Sequence, residues 1–249
     1  MRRATYHVER EVSPDHWWFQ GRRRILTRLL ADLDLPPGAR ILDAGCGTGA
    51  NTATLAALGR GHGQGRGRGQ GTVFGVDASP VPLGLAEEGL AVLARLERLP
   101  FARGRFDLVA ALDLLEHLDD DAAGARELAR VVAPGGRLLV FVPAFEQLWG
   151  LQDDVSDHRR RYTAASLRSL VIRAGLRVER LSYFNTVLFF PILAARLAMR
   201  VVRPPVATEN NLTTPALNRL LGAVFGAEAS LLARANLPFG VSLLALARR

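Results

Sequence analysis

An apolar run that ends in an acid and then in alternating glycines, ILDAGCGTG at residues 41–49, restricts this chain more than any other feature. The run reads as a strand. Gly45, Gly47 and Gly49 then permit a tight turn that brings a ligand close to the backbone at a helix N-terminus. The spacing is G-x-G-x-G, whereas the dinucleotide fingerprint is G-x-G-x-x-G, and Asp43 stands at the mouth of the turn. A carboxylate there repels a pyrophosphate but suits a ligand carrying an ammonium and a sulfonium, which argues against a nicotinamide oxidoreductase. A second acid, Asp77 in FGVDAS (residues 74–79), ends the next apolar run. There it can accept hydrogen bonds from both hydroxyls of a ribose, or serve as a helix N-cap.

From these motifs onward, strand-like runs alternate with helical spacings. Strands are predicted over 39–43, 72–77, 90–95, 106–111 and 137–142, with helices over 50–58, 81–88 and 121–132 between them. A helix over 21–33 precedes the set; a helix over 164–174, a strand over 176–182 and a strand over 240–247 follow it. The alternation predicts an α/β fold with a parallel sheet covered by helices on both faces. A length of 249 residues suits one such domain with an elaboration. The organisation reads as an N-terminal helical lid or clasp (1–38), a ligand-binding domain (39–183), a helical insertion (184–238) and a final strand (239–249).

The single cysteine, Cys46, excludes an intrachain disulfide and fits a reducing compartment. The five histidines are scattered and have no second thiol among them, so no metal site is expected. The longest apolar run, Val187–Ala195, is far short of the roughly 20 residues that span a bilayer. A cytoplasmic protein is therefore expected. The net charge of +8 suits an anionic partner without choosing among nucleic acid, phospholipid or a phosphorylated ligand. Glycine occupies every odd position from 59 to 71. That tract reads as a flexible loop at the sheet edge opposite the ligand, although arginine-glycine sequences can also bind RNA.

The segments ILDAGCGTG, GVDAS, LPFARGRFDLVAALDLLEHL and ELARVVAPGGRLLVFVPA follow one another over about residues 39–145. In that order and spacing they resemble the class I S-adenosylmethionine (SAM)-dependent methyltransferases of the broad small-molecule group. The resemblance implies a Rossmann-like, doubly wound, mostly parallel sheet of about seven strands, with the last strand antiparallel, and S-adenosyl-L-methionine as cofactor. It implies that Asp43, Gly45, Cys46 and Gly47 face the methionine part, Asp77 and Ala78 the ribose, and the backbone of Leu96 the adenine. The segment Asp113 to His117, with Asp113 and Leu114 as its binding residues, would border the cofactor after the fourth strand. The sequence departs from the family's pattern at Arg95, which stands where an acid usually receives the adenine amino group. Glu97 is the nearby substitute, and a non-catalytic SAM-binding relative is an alternative that this departure leaves open.

Two clusters remain. In DHWWFQGRRR (residues 15–24) Trp18 and its neighbours can lid the site over substrate, or clasp the first helix to the sheet. In LQDDVSDHRRRYT (residues 151–163), after the fifth predicted strand, Asp154 and Arg160 are candidates for substrate binding, and His158 and Tyr162 for catalysis, against a plain solvated charge run. His117 reads as a residue that caps or orients its loop. Methyl transfer from SAM mainly demands alignment and exclusion of water, and a histidine base helps when the acceptor is a hydroxyl. No Pro-rich loop of the kind used on base amino groups is present. O- or C-methylation of a small or lipid-like acceptor is therefore expected, with an RNA methyltransferase as the alternative and the oligomeric state left open. In the insertion, Leu193, Leu197 and Val201 lie beside a stripe of Arg196, Arg200 and Arg203. Such a face fits peripheral contact with an anionic membrane, at its inner surface, or a lid packed on the protein itself.

Overall fold

The computed structural model describes residues 12–59, 71–80, 90–202 and 214–249. Most of the glycine-arginine tract, the helix expected over 81–88 and Arg203 lie outside them. The first helix, α1 (Trp17–Ala31), is followed by β1 (Arg40–Ala44), α2 (Ala50–Gly59), β2 (Thr72–Asp77), β3 (Leu90–Leu93) and β4 (Phe106–Leu112). Then come α3 (Asp121–Val131), β5 (Val132–Pro143), α4 (Leu151–Val155), α5 (Ala164–Arg173) and β6 (Arg177–Phe184). Helices α6 (Phe189–Val202) and α7 (Pro215–Leu232) precede the last strand, β7 (Ser242–Arg248).

The strands form one seven-stranded sheet in the order β3-β2-β1-β4-β5-β7-β6. The first five pair in parallel, and β7 runs antiparallel to both β5 and β6. The fold expected from the sequence is thus the fold observed. The order reverses between β1 and β4, and the C-terminal ends of the strands on either side of such a reversal open a crevice for ligand.

Alternate residues of each strand feed opposite layers, as a side-chain period of two requires. Leu42, Val109 and Val140 join α3 and α5 on one face, through Leu128 and Leu167. Ile41, Leu108 and Leu139 join α1 and α7 on the other, through Ile25 and Phe225. Strands covered on both faces must be apolar, which is why β4 from Leu108 to Leu112 and β5 from Leu138 to Val142 read as hydrophobic runs.

The boundaries differ from the sequence reading where backbone contacts override local pattern. Strand β5 begins at Val132, before the Pro134-Gly135-Gly136 break, because Val132 pairs with Phe106 ahead of an irregularity in the ladder. Strand β7 starts only at Ser242. Gly240 lies against the Phe184 backbone so closely that any side chain there would collide with it. Among the described residues no helix is long and apolar enough to cross a membrane.

Candidate active site

At the C-terminal ends of β1, β2 and β4, beneath α1 and α6, lies a cavity of about 800 Å³. Its floor is the glycine turn. The amides of Gly45 and Cys46 both donate to the Val76 carbonyl, at 2.7 and 3.0 Å, tying the turn to β2. Gly45 has φ +71°, and a Cβ there would stand 2.7 Å from the Leu114 side chain. Glycine is required twice over at that position, by backbone conformation and by space. The Asp77 carboxylate, almost completely buried, accepts from Gly47 N (3.0 Å) and from Ser79 N (2.8 Å), so it clamps the ends of two neighbouring strands together.

Asp43 is wholly buried just behind this floor. Thr52 donates a 2.5 Å hydrogen bond to its Oδ2, while Oδ1 is buried without a partner. Burial raises its carboxyl to about 6, against the opposing pull of Thr52 and Arg22. Burial likewise pushes the Cys46 thiol up to about 12, with Asp43 and Asp77 adding to the effect. Cys46 is therefore a wall and not a nucleophile.

Gly45, Cys46, Gly47, Asp77, Ala78, Leu96, Asp113 and Leu114 all line the cavity, so the structure gathers these expected cofactor residues around one space. Asp43 touches that space only from behind. Arg95, at the departure from the family pattern, lies on the rim and pairs with Glu97 at 3.2 Å.

Both tryptophans of helix α1 line the cavity. Trp17 also packs edge-on against Phe225 at 5.8 Å, as a clasp does. The Arg22 guanidinium lies 4.9 Å from the Trp18 ring. Arg22 also pairs with Asp113 at 2.6 Å. Lid and clasp are combined in one helix. Arg22 itself was not singled out from the sequence, where it is one of three consecutive arginines.

The segment after β5 is organised by one buried carboxylate. Asp153 accepts from His158 Nδ1 (2.8 Å), Arg161 Nε and Nη2 (both 2.9 Å) and Gly150 N (2.7 Å), and Arg196 lies 3.7 Å away. Burial alone would raise its carboxyl, but the His158 hydrogen bond and the Arg161 and Arg196 charges outweigh burial and hold it at about 2. With Nδ1 given to Asp153, His158 keeps Nε2 for the cavity it lines.

The other candidates from this segment stand elsewhere. The Tyr162 hydroxyl donates to Asp121 at 2.9 Å, its ring is packed in the core, and burial raises its pKa far above the phenol range. Arg160 donates to the Leu118 and Asp119 carbonyls, both at 2.8 Å, and pairs with Asp121. Asp154 accepts from the Trp149 indole at 2.9 Å. All three brace the loop from outside the cavity wall. Their polar atoms are spent on these structural contacts.

Three groups in the wall were not predicted as a set. Glu116 is wholly buried, and neither carboxylate oxygen has a partner beyond its own backbone; burial, then Asp113, drive its carboxyl well up. The buried Nδ1 of His117 has no partner, and the ring stands edge-on to His158 at 4.8 Å. Burial, helped by His158, lowers His117 to about 3, so it is neutral at physiological pH. One donor atom from each of Glu116, His117 and His158 lies within 4.8 Å of the others, an arrangement able to take a metal ion. His117 and His158 meet only because the β4 and β5 loops share one strand edge, and no local pattern announces that. Asn185, after β6, is the last residue missed: its buried amide lines the cavity and its φ is +60°.

The roof is α6. Ile192, Ala195, Arg196 and Met199 face the cavity. Arg196 is buried and donates to the Leu148 carbonyl, and Arg200 donates to the Gln147 and Trp149 carbonyls at 3.1 and 2.8 Å. Arg196 is thus turned inward to pin the roof, whereas Arg200 and the apolar Leu197 of the same helix remain exposed.

A family model described as a methyltransferase domain matches residues 15–181. The chain belongs to that family. Among curated relatives, the ubiquinone biosynthesis O-methyltransferase of Aeromonas salmonicida is 28% identical over 58% of this chain and 66% of its own length. The demethylmenaquinone methyltransferase of Corynebacterium kroppenstedtii is 35% identical over 47% of this chain and 50% of its own. The chain thus spans between half and about two thirds of these relatives. A methyltransferase solved in complex with the Trm112 activator of Haloferax volcanii superposes with a TM-score of 0.62 at 20% identity, covering 97% of this chain and 93% of that one. At that identity the likeness speaks for the fold.

Proposed function

We propose that this methyltransferase-family chain binds SAM on the glycine turn and methylates an oxygen, or a carbon activated by an adjacent oxygen, on a small ring-bearing acceptor with an apolar tail. The observation that carries the reading is that one cavity holds the glycine floor, the Asp153-backed His158 in its wall, and a largely apolar roof from α6.

The residues fit SAM. The unpartnered Oδ1 of Asp43 stands behind the turn where an ammonium needs an acid, and Asp77 sits at the end of β2 where a ribose needs an acceptor. Leu96 and the Arg95–Glu97 pair are positioned for the adenine end. When bound, SAM supplies a methyl group already activated for displacement. The chain's own task is then to align an acceptor and exclude water. Trp18 and α6 cover the cavity, and His158 Nε2 is held by Asp153 in position to take a hydroxyl proton. The relatives named for ubiquinone biosynthesis and for demethylmenaquinone support a ring with a hydrophobic tail, as does the apolar lining from Ile192 and Met199.

Purified protein supplied with methyl-labelled SAM should transfer label to a hydroxylated, lipid-soluble product when given lipid and aqueous extracts. Transfer to bulk RNA, or to none of these, would overturn the reading.

A further inference from the structure

The cavity wall formed after β4 and β5 has a composition that proton transfer alone does not explain. Glu116 buries a carboxylate completely without a partner beyond its own backbone. Leaving such a group unsatisfied is costly. Beside it are two imidazoles, standing edge-on to one another at 4.8 Å. His158 gives Nδ1 to the buried Asp153 carboxylate at 2.8 Å. A ligating histidine is held in this way, with the far nitrogen tied to a carboxylate so that tautomer and ring angle are fixed. The Nδ1 of His117 is buried and has no partner.

We propose that Glu116, His117 and His158 form a binding site for one divalent first-row transition cation, opening into the acceptor end of the cavity. The donor atoms lie within 4.8 Å of one another, and a small inward adjustment brings them to ligand spacing. Two imidazoles and one carboxylate, with the remaining positions facing a cavity, are the donor set of open catalytic zinc and iron sites. Magnesium and calcium, which favour all-oxygen shells, fit it less well.

The site rests on the reading of this cavity as the acceptor's, and it changes how the same residues act. An acceptor hydroxyl placed on the cation releases its proton to solvent, because the ion lowers its pKa. The freed lone pair forms the oxygen–carbon bond, and the methyl–sulfur bond of the donor breaks with its electrons staying on sulfur. The cation is neither oxidised nor consumed. His158 is then a ligand, and the ion takes over the proton-withdrawing role.

The test is binding, read without turnover. Untagged, chelator-treated protein titrated with Zn²⁺ should take up one ion per chain by calorimetry, and Co²⁺ should develop visible absorption bands. Of the five histidines, only the His117 and His158 ring resonances should shift in an NMR titration with Zn²⁺. Glu116→Gln, which keeps the side-chain shape, should weaken Zn²⁺ binding by about 100-fold or more, beyond the loss typical of a supporting residue. Should that variant not fold, the ring resonances of the unaltered chain decide the matter. Absence of stoichiometric binding, equal affinity in Glu116→Gln, or shifts at other histidines would overturn the site. Turnover that His158→Ala abolishes but chelation leaves intact would overturn it too, while sparing the acceptor reading. Zn²⁺ binding in a chain that methylates no acceptor would sink the acceptor reading and spare the site.

Discussion

The two ends of the cavity are built on opposite plans. At the glycine turn nearly every polar group is already satisfied by neighbouring backbone, with Asp77 holding two amides and the Val76 carbonyl holding two more. At the acceptor end, buried polar atoms of Glu116, His117 and Asn185 face the cavity without partners. Preorganisation by backbone suits a ligand that never changes, and it is inexpensive because strand ends and turns supply it. Unpaired side chains are costly in the free protein and are worth keeping only where a ligand or ion completes them. The contrast separates a floor completed by backbone from a wall left for a ligand to complete.

The sharpest way to break that contrast is at His158. His158→Ala should lower turnover by about 10²–10⁴-fold with SAM affinity retained, measured by steady-state kinetics beside calorimetry. Loss of SAM affinity in that variant would mean that the two ends are not separable.

Asp43 sharpens the comparison from the other side, because it is a costly group at the cofactor end. Its folded pKa of about 6 lies above the ordinary 3.8. Folding therefore favours its protonated form, and that contribution, complete below about pH 4, is lost as pH rises through about 6. Asp43→Asn should flatten the loss and stabilise the ligand-free protein above pH 7 by up to ~3 kcal/mol, while weakening SAM. Urea denaturation at pH 5 and 7.5 checks it; equal destabilisation at both would show that the Thr52 bond dominates.

Asp77→Ala should cost about 1.5–3 kcal/mol of SAM binding in a folded protein. Unchanged affinity would show that Asp77 serves only to clamp Gly47 and Ser79. The smallest effect belongs to Tyr162→Phe. Removing the hydroxyl from Asp121 should cost ~1 kcal/mol of stability and leave KM for the acceptor unchanged; a raised KM would return Tyr162 to the cavity.

The same contrast explains what could be read in the sequence. The cofactor floor is local: Asp43, the three glycines and Asp77 sit on two consecutive strands, and strand-turn-helix rules place them without tertiary information. The mostly parallel sheet with its last strand antiparallel followed from alternation and resemblance together, whereas the strand order came only with the structure. The acceptor wall is made of side chains from separate loops, and chain order says nothing about which polar atoms find partners. Arg160, Tyr162 and Asp154 were as polar and as close to the site as His158, but Asp121, the Leu118 and Asp119 carbonyls and Trp149 claimed them. Arg196 read as part of a membrane-facing stripe, but the Leu148 carbonyl and Asp153 claimed it, while Arg200 stays exposed. Helical periodicity gives the angle of a side chain about its own axis, and only the packed neighbour decides which angle is outside.

The strand order bears also on how the chain is assembled. Strand β7 is made last of the seven yet lies between β5 and β6. Until it arrives, β6 has no edge to join, and the segment carrying α6 and α7 has no fixed attachment at either end. Strands β1 to β5 can meanwhile pair among themselves. Synthesis therefore passes through a stage in which the cofactor floor is formed while Asn185 and the roof are still unplaced. Pairing of β7 with both neighbours is a long-range event and slow on general grounds. During that interval the edge of β5 is open, and an open apolar edge is where chains of this architecture are most exposed to aggregation.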